Sequence, residues 1–424
     1  MEVNIFIFRR DLRIEDNISL NNLIKHCSNK NILLLFIFNP EQIYANKNPY
    51  FSNNAVQFMI ESLVSLEKQV HINYYEGDDI NILNNLNKKY KIKTIAFNKD
   101  YTPFAIKRDK TISEWCKTRN ITLISNEDYT LYSMGTIKNK TGNPYQVFTP
   151  FYKTCLKISV QKPIKTPKIN FIKTIINFNK NKYYKKNDKL AVRGGRENAL
   201  IRLKNKFLTY SKYRDYPALD ATTKLSAFIK FGCISIREVY YTYIKNKALI
   251  RELIWREFYA NILYHFPYIV QGHSFKQKYD KIQWTNNKEW FEKWCKGETG
   301  YAIVDAGMKQ LNETGWMHNR VRMIVAMFLT KDLLIDWRWG EKYFATKLVD
   351  YDPASNNGGW QWSASTGTDA QPYFRIFNPE LQIKKYDKDY IYIKRWNPDY
   401  KNIKKIVDHT ERSKIAIKTF KNIK

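Results

Sequence analysis

Glycine is almost missing from the first third of the sequence: Gly77 is the only one before residue 130. A dinucleotide fingerprint and a phosphate-binding P-loop both need closely spaced glycines, so that backbone N–H groups can approach phosphates. Neither device is present in this stretch. The five cysteines (Cys27, Cys116, Cys155, Cys233 and Cys295) contain no C-x-x-C pair and share no ligand spacing with the six histidines. That argues against a zinc site and predicts reduced thiols in an intracellular protein. No apolar run reaches about 18 residues, the length that reads as a membrane-crossing helix. Met1-Glu-Val-Asn opens a strand and not a signal peptide. Negative charge is also scarce, with 40 Asp and Glu against 71 Lys and Arg and a net charge of +31. Such an excess suits a polyanion, nucleic acid first. A coding bias toward Lys, Asn and Ile is the plainer alternative.

At 424 residues the chain exceeds one ordinary core, and two domains are expected. Runs rich in Ile, Val, Phe and Leu at Val3–Phe8, Ile32–Phe38, Ile72–Tyr75, Thr94–Phe97 and Ile121–Ile124 read as strands buried on both faces. Ser52–Gln69 and Pro103–Arg119 have helical length and spacing between them. Alternation of this kind predicts an α/β domain over residues 1–130, a doubly wound parallel five-stranded sheet. Arg9-Arg10-Asp11-Leu12-Arg13 follows the first strand; it would hold a ligand, tie the domain to another part of the chain, or simply face water. Over residues 131–190 thirteen lysines face one acid, Asp188, and Pro144, Pro150, Pro163 and Pro167 interrupt any long helix. We expect a basic linker over 131–193, most mobile at Lys180–Lys189. From residue 194 to 424 helices are predicted at Ala199–Tyr210, Ile234–Lys245, Arg251–Tyr264, Ile303–Glu313, Arg320–Leu329 and Trp339–Leu348, an all-α second domain. The tail Lys401–Lys424 is short and basic, a phosphate contact or a frayed helix.

Chemistry concentrates in a few polar-aromatic segments. Asp350-Tyr-Asp-Pro-Ala-Ser-Asn-Asn-Gly-Gly-Trp360-Gln-Trp362 sets acids, amides and two glycines beside two tryptophans. Gly358-Gly359 would let backbone approach something flat, and Asp350, Asp352, Asn356 and Asn357 need partners if buried. A tight turn with two core tryptophans is the plain reading. Thr222-Thr-Lys-Leu-Ser226 places hydroxyls at a helix start, a candidate anion or pyrophosphate site and otherwise an ordinary cap. Glu252, Trp255 and Tyr259 share one helical face, so an acid stands beside an indole. Asn319 and Met323 are four apart, offering an amide and a thioether on one face, and Arg322 is suited to neutralise Asp350.

Together these segments resemble the photolyase/cryptochrome family, most closely its class I cyclobutane pyrimidine dimer photolyases. The resemblance runs from Phe8-Arg-Arg-Asp-Leu-Arg13 through Trp255-Arg-Glu-Phe-Tyr259, Thr299–Ala306, Thr314–Arg320 and Lys331–Trp337 to Asn356–Pro379. It implies an FAD-binding helical domain that repairs UV-damaged DNA under blue light, as a monomer. FAD would be held by Tyr210, by Thr222, Thr223, Lys224, Leu225 and Ser226 around its phosphates and ribityl chain, and by Asp350 and Asp352 at its isoalloxazine and adenine ends, with Arg322 paired to Asp350. Asn356 would lie near the reactive ring nitrogen, where an amide tunes a flavin it does not alter. Glu252, Asn319 and Met323 would contact the flipped dimer, stacked between Trp255 and Trp362, while Arg214, Arg320 and Gln382 grip the DNA. Excited reduced FAD would lend the dimer an electron that returns after the ring opens. Trp360, Trp337 and Trp284 would relay electrons to oxidised FAD.

The same resemblance marks departures. Phe104 and Ala105 stand where a folate antenna would need an amide and an acid, and its partner lysine is missing near Val270-Gln271. A deazaflavin, a second flavin or no antenna remain the alternatives. Lys224 replaces a frequent arginine, keeping the charge and losing the planar fork. (6-4) photoproduct enzymes carry a paired histidine in the segment that here reads Trp316-Met-His-Asn-Arg320, and Asn319 after His318 removes one member. The readings in competition are a cryptochrome-type light sensor and a (6-4) photolyase.

Overall fold

The structure, a computed structural model, describes the chain except residues 29, 168–170, 174–177, 403 and 424. Parts of the expected linker and of the basic tail therefore lie outside the described residues. Strands β1 (Glu2–Phe8), β2 (Ile32–Phe38), β3 (Asn73–Glu76), β4 (Lys91–Lys99) and β5 (Thr122–Glu127) form one sheet in the order β3-β2-β1-β4-β5. Every neighbouring pair is parallel. Side chains alternate along a strand, so β1 sends Val3, Ile5 and Ile7 to one core and Phe6 and Phe8 to another. The first core is closed by Ile82 and Leu83 of the Asp79–Lys89 helix and by Ile112 and Trp115 of the Pro103–Lys117 helix. The second runs on through Phe58 of the Asn53–Glu67 helix into Phe228, Ile254 and Phe258 of the helical half. One face of the sheet is thus the floor of the helical domain. The order of strands reverses between β1 and β4, where an open parallel sheet leaves a crevice at its carboxyl ends.

The charged loop after β1 is the tie between the two halves. Arg13 donates to Asp128 at 2.6 Å, and Arg237 donates to the other oxygen of Asp128 at 2.7 Å and to Asp16 at 2.9 Å. Ser235 completes the group with a 2.5 Å bond to Asp16. All four charged side chains are within 3% of complete burial. Buried charges at this depth persist only when paired.

Several elements differ from the sequence reading. Ala199–Tyr210 is two helices, Arg196–Lys204 and Tyr210–Tyr213, because Phe207 adopts a left-handed φ of 44° and stops any continuation. The helix predicted to reach Leu329 ends at Met327 and widens into a π turn over Phe328–Asp332. That turn buries Lys331, whose Nζ donates to the Ala364 carbonyl at 3.1 Å. The stretch expected to be mobile is anchored: Lys180 bonds both oxygens of Glu67 at 2.9 and 2.8 Å, and Lys182 pairs with Glu76 at 2.6 Å. Glu67, at the end of the Asn53–Glu67 helix, and Glu76, on the edge strand β3, offset lysines that spacing alone left to solvent. In the tail, His409–Lys421 is a docked helix, with Phe420 packed on Tyr279 and Trp284. Among the described residues no helix is long and apolar enough to cross a membrane, and no cluster has a metal-ligating make-up.

Candidate functional site

The helical half encloses a cavity of about 510 Å³. Three helices supply most of its wall: Lys247–His265 with Glu252, Trp255 and Tyr259; Asn319–Met327 with Asn319, Arg322 and Met323; and Pro353–Ala364 with Asn356, Gly359, Trp360 and Trp362. Tyr210, Arg214, Thr223, Leu225, Ser226, Asp350 and Asp352 complete it. The tight turn that is the plain alternative for this segment is not found; Pro353–Ala364 is a helix. Asp352 caps it by accepting from Ser355 N–H at 3.1 Å, and Pro353 occupies the first turn, where no donor is needed. The two glycines divide the work expected of them. A Cβ on Gly358 would fall 2.2 Å from the Tyr259 ring, so glycine lets two helices close. A Cβ on Gly359 would meet nothing within 4 Å, leaving a stretch of open wall in the cavity.

Asp350 accepts from Arg322 Nη2 at 3.1 and 2.9 Å and from Ser226 Oγ at 2.6 Å. Asp352 accepts from Arg10 Nη2 at 3.0 Å, a link from the β1 loop into the cavity. Burial raises the pKa of Asp352, but Arg10 and Lys230 overcome that and hold its carboxyl well below the usual range. Asn356 donates to the Glu341 carboxyl at 2.9 Å and to the Glu341 carbonyl at 3.1 Å, and burial pushes Glu341 up to about 7. Thr222 lies outside the lining, with its Oγ1 buried and unpartnered among the described residues. The Lys224 ammonium is engaged elsewhere, 2.9 Å from Asp220 and over the Trp316 ring at 5.2 Å.

At the mouth, Glu252 and Arg214 face each other at 2.5 Å. Asn319 is exposed, its amide 4.0 Å from the Met323 sulfur. Trp255 is backed by Phe148, stacked at 3.6 Å and 4°. Trp362 lines the cavity without a ring partner among the described residues. Arg320 and Gln382 stand outside the lining; Arg320 pairs with Asp215 at 2.9 Å and lies over the Tyr386 ring at 4.5 Å, on the helix that carries Gln382. His318 caps the Asn319–Met327 helix through Nδ1, and burial lowers it to about 4, so it is neutral.

Comparison with known proteins assigns both halves of the chain to one family. Residues 4–168 match the model of the DNA photolyase domain, and residues 249–422 match the FAD binding domain of DNA photolyase. A deoxyribodipyrimidine photo-lyase of Buchnera aphidicola from Acyrthosiphon pisum is 36% identical, over 95% of this chain and 89% of its own. This chain belongs to the DNA photolyase family. Among solved structures, an archaeal photolyase from Sulfolobus tokodaii with two FAD molecules matches at 40% identity and a TM-score of 0.91, over all of both chains. A bacterial class III photolyase from Agrobacterium tumefaciens matches at 30% and 0.92, over 100% of this chain and 98% of that one.

Two further features of the photolyase fold are laid out here. Trp337 and Trp360 sit in one apolar core with Trp284 packed against it. Trp360 contacts Phe344 at 5.0 Å and Trp294 at 6.0 Å, and among the described residues no ring contact joins it directly to Trp337 or Trp284. A second cavity, about 1070 Å³, opens at the carboxyl ends of β1 and β4, and Arg9, Arg10, Phe104, Val270 and Gln271 line it. Of the positions singled out for an antenna, Phe104, Val270 and Gln271 thus meet at one place, and Ala105 is buried outside the lining. Residues that sequence reasoning missed are Arg10 as partner of Asp352, Glu341 behind Asn356, and Lys230, which lines both cavities.

Proposed function

We propose that this chain is a class I cyclobutane pyrimidine dimer photolyase that holds FAD in the smaller cavity and receives the flipped dimer at its mouth. One observation carries the reading: Glu252, Asn319 and Met323 project from two helices into the cavity that Asp350, Arg322, Asn356 and the bare wall at Gly359 also line. The residues fit FAD. The open wall accepts a flat ring, Ser226 and Thr223 bring hydroxyls to the lining, and Leu225 and Ile229 give apolar floor. Fully reduced FAD, excited by blue light, supplies the electron that opens the cyclobutane ring.

The protein's part is placement. Asp350, oriented by Arg322 and Ser226, and Asp352, oriented by Arg10, accept hydrogen bonds from the cofactor, while Thr222, Thr223, Leu225, Ser226 and Tyr210 surround its phosphates. Asn356 is aimed by Glu341. Photolyases are among the enzymes that take a base out of the stack to act on it, and a damaged pair is the cheapest to extrude. Trp255, stiffened by Phe148, and Trp362 wall the dimer; the Glu252 carboxylate accepts from its edges and the Asn319 amide donates to them, and Met323 packs against it. Arg214, Arg320 and Gln382 grip the flanking DNA, aided by the net charge of +31. Residues 1–130, 131–193 and 194–424 then serve as antenna domain, linker and catalytic domain. The larger cavity would take a second chromophore, and a second flavin is favoured by the archaeal relative with two FAD molecules. Both cavities are completed within one chain, so a monomer suffices.

Binding of the FAD-loaded protein to three duplexes, undamaged or bearing one cyclobutane dimer or one (6-4) photoproduct, tests the substrate. Preference for the cyclobutane dimer by at least tenfold is expected. Equal affinity for all three contradicts the reading and favours a light sensor.

A further inference from the structure

Charged side chains that line the smaller cavity come in opposite pairs, with one exception. Arg214 faces Glu252, Arg322 faces Asp350, Arg256 faces Glu257 and Asp352 faces Arg10. Lys230 ends the Ser226–Lys230 helix, and its carbonyl accepts from Arg10 Nε at 3.2 Å. Among the described residues its ammonium has no hydrogen bond and no ion pair. Burial and the neighbouring Arg10 push it down to about 8, although Asp352 and Asp100 pull the other way. Its side chain lines the partition between the two cavities. A half-buried ammonium without a partner is costly, and the cost is relieved by an anion at the same place.

FAD offers two sources of negative charge, the pyrophosphate and the reduced ring. Of the hydroxyls that would surround the pyrophosphate, Ser226 starts the helix that Lys230 ends, about 6 Å away at 1.5 Å per residue, and Thr222 and Thr223 precede that start. Lys230 stands instead beside Asp352, which caps the helix that carries Asn356. We propose that Lys230 is a cofactor-contacting residue that compensates the negative charge of the reduced FAD ring and so favours the reduced form. The inference rests on FAD in the smaller cavity. Reduction adds two electrons and one proton to a neutral ring and leaves one negative charge; an added chemical reductant supplies the electrons and water the proton.

The test is the midpoint potential of FAD in the loaded protein, with the FAD dissociation constant measured alongside, for Lys230→Met, Lys230→Gln and Lys230→Arg. Lys230→Met and Lys230→Gln are expected to shift the equilibrium at least tenfold toward oxidised FAD, ~30 mV for a two-electron couple. Lys230→Arg, which keeps the charge, is expected to stay within about threefold of the parent. Because the glutamine variant preserves polarity and much of the length, misfolding of the methionine variant alone leaves the comparison intact. An unchanged potential in a neutral variant that still binds FAD overturns the proposal. So does a weakened FAD affinity with an unchanged potential, which moves the ammonium to the phosphates. A parent protein that takes up no FAD overturns both this inference and the reading beneath it.

Discussion

Replacing Glu341 by glutamine is expected to stabilise the protein at neutral pH and to flatten its dependence on pH. Glu341 lies on the Trp337–Lys347 helix with 6% of its surface exposed, and its carboxyl accepts from Asn356 Nδ2 at 2.9 Å. Burial raises it from 4.5 to about 7, against the smaller pull of that hydrogen bond. Between those values the folded chain holds a proton that the unfolded chain has lost. Stability from this group is therefore complete below pH 4.5, falls as pH rises toward 7, and is level above that. At ~1.4 kcal/mol per pH unit the loss between about pH 5.5 and about pH 8 is roughly 2 kcal/mol. Glutamine keeps the carbonyl that Asn356 needs and carries no charge at any pH. Glu257, raised to about 7 by burial as well, titrates in both proteins and cancels from the comparison. The assay is the thermal midpoint of the FAD-loaded parent and Glu341→Gln at the two pH values. With an unfolding entropy of about 2.1 cal/mol/K per residue, the advantage of the variant should grow by ~2 °C from the lower to the higher pH. An equal offset at both, or a variant less stable at the higher pH, refutes the burial argument.

Arg237→Met leaves Asp16 and Asp128 short of a partner in a buried group, and a loss of about 3–5 kcal/mol in unfolding free energy is expected by denaturation. Glu252→Ala should leave FAD content unchanged and lower the repair yield at saturating damaged DNA by at least tenfold; an unchanged yield would remove Glu252 from the site. Trp284→Phe should slow photoreduction of oxidised FAD at least tenfold while repair by chemically reduced protein persists, and an unaltered photoreduction rate would place the relay elsewhere. Gly359→Ala has open space for its Cβ and a helical backbone, so the apoprotein should unfold as the parent does, yet FAD affinity should drop at least tenfold, ~1.4 kcal/mol. Undiminished affinity would mean that the flat group lies against another wall.

How much was legible from the sequence depended on range. Strands β1, β2 and β4 were readable because parallel strands buried on both faces are continuous apolar runs, with ends such as Lys91 and Lys99 of β4 escaping; β3 and β5, expected to be buried on both faces as well, are edge strands and only partly covered. Glu252, Trp255 and Tyr259 were readable as one face because helical spacing is local. Arg10 and Asp352 are 342 positions apart, and no spacing rule joins them; the loop was seen only as a candidate tie. Glu341 stands between Gly340 and Lys342 and has the sequence context of any solvated helical acid; only the fold brings the Asn356 amide against its carboxyl. Lys230 did carry a signal: it is the lone charge in the run Ala227-Phe-Ile-Lys-Phe231. The anchored linker escaped because Glu67 and Glu76, its partners, lie more than a hundred residues upstream.

The most direct test of the account is an anaerobic repair assay with the purified, photoreduced protein. An oligonucleotide carrying one thymine cyclobutane dimer is followed in blue light and in darkness. Recovery of intact thymines in light alone is the predicted result. FAD-loaded protein that binds the damaged strand and restores no thymines under light would contradict the account.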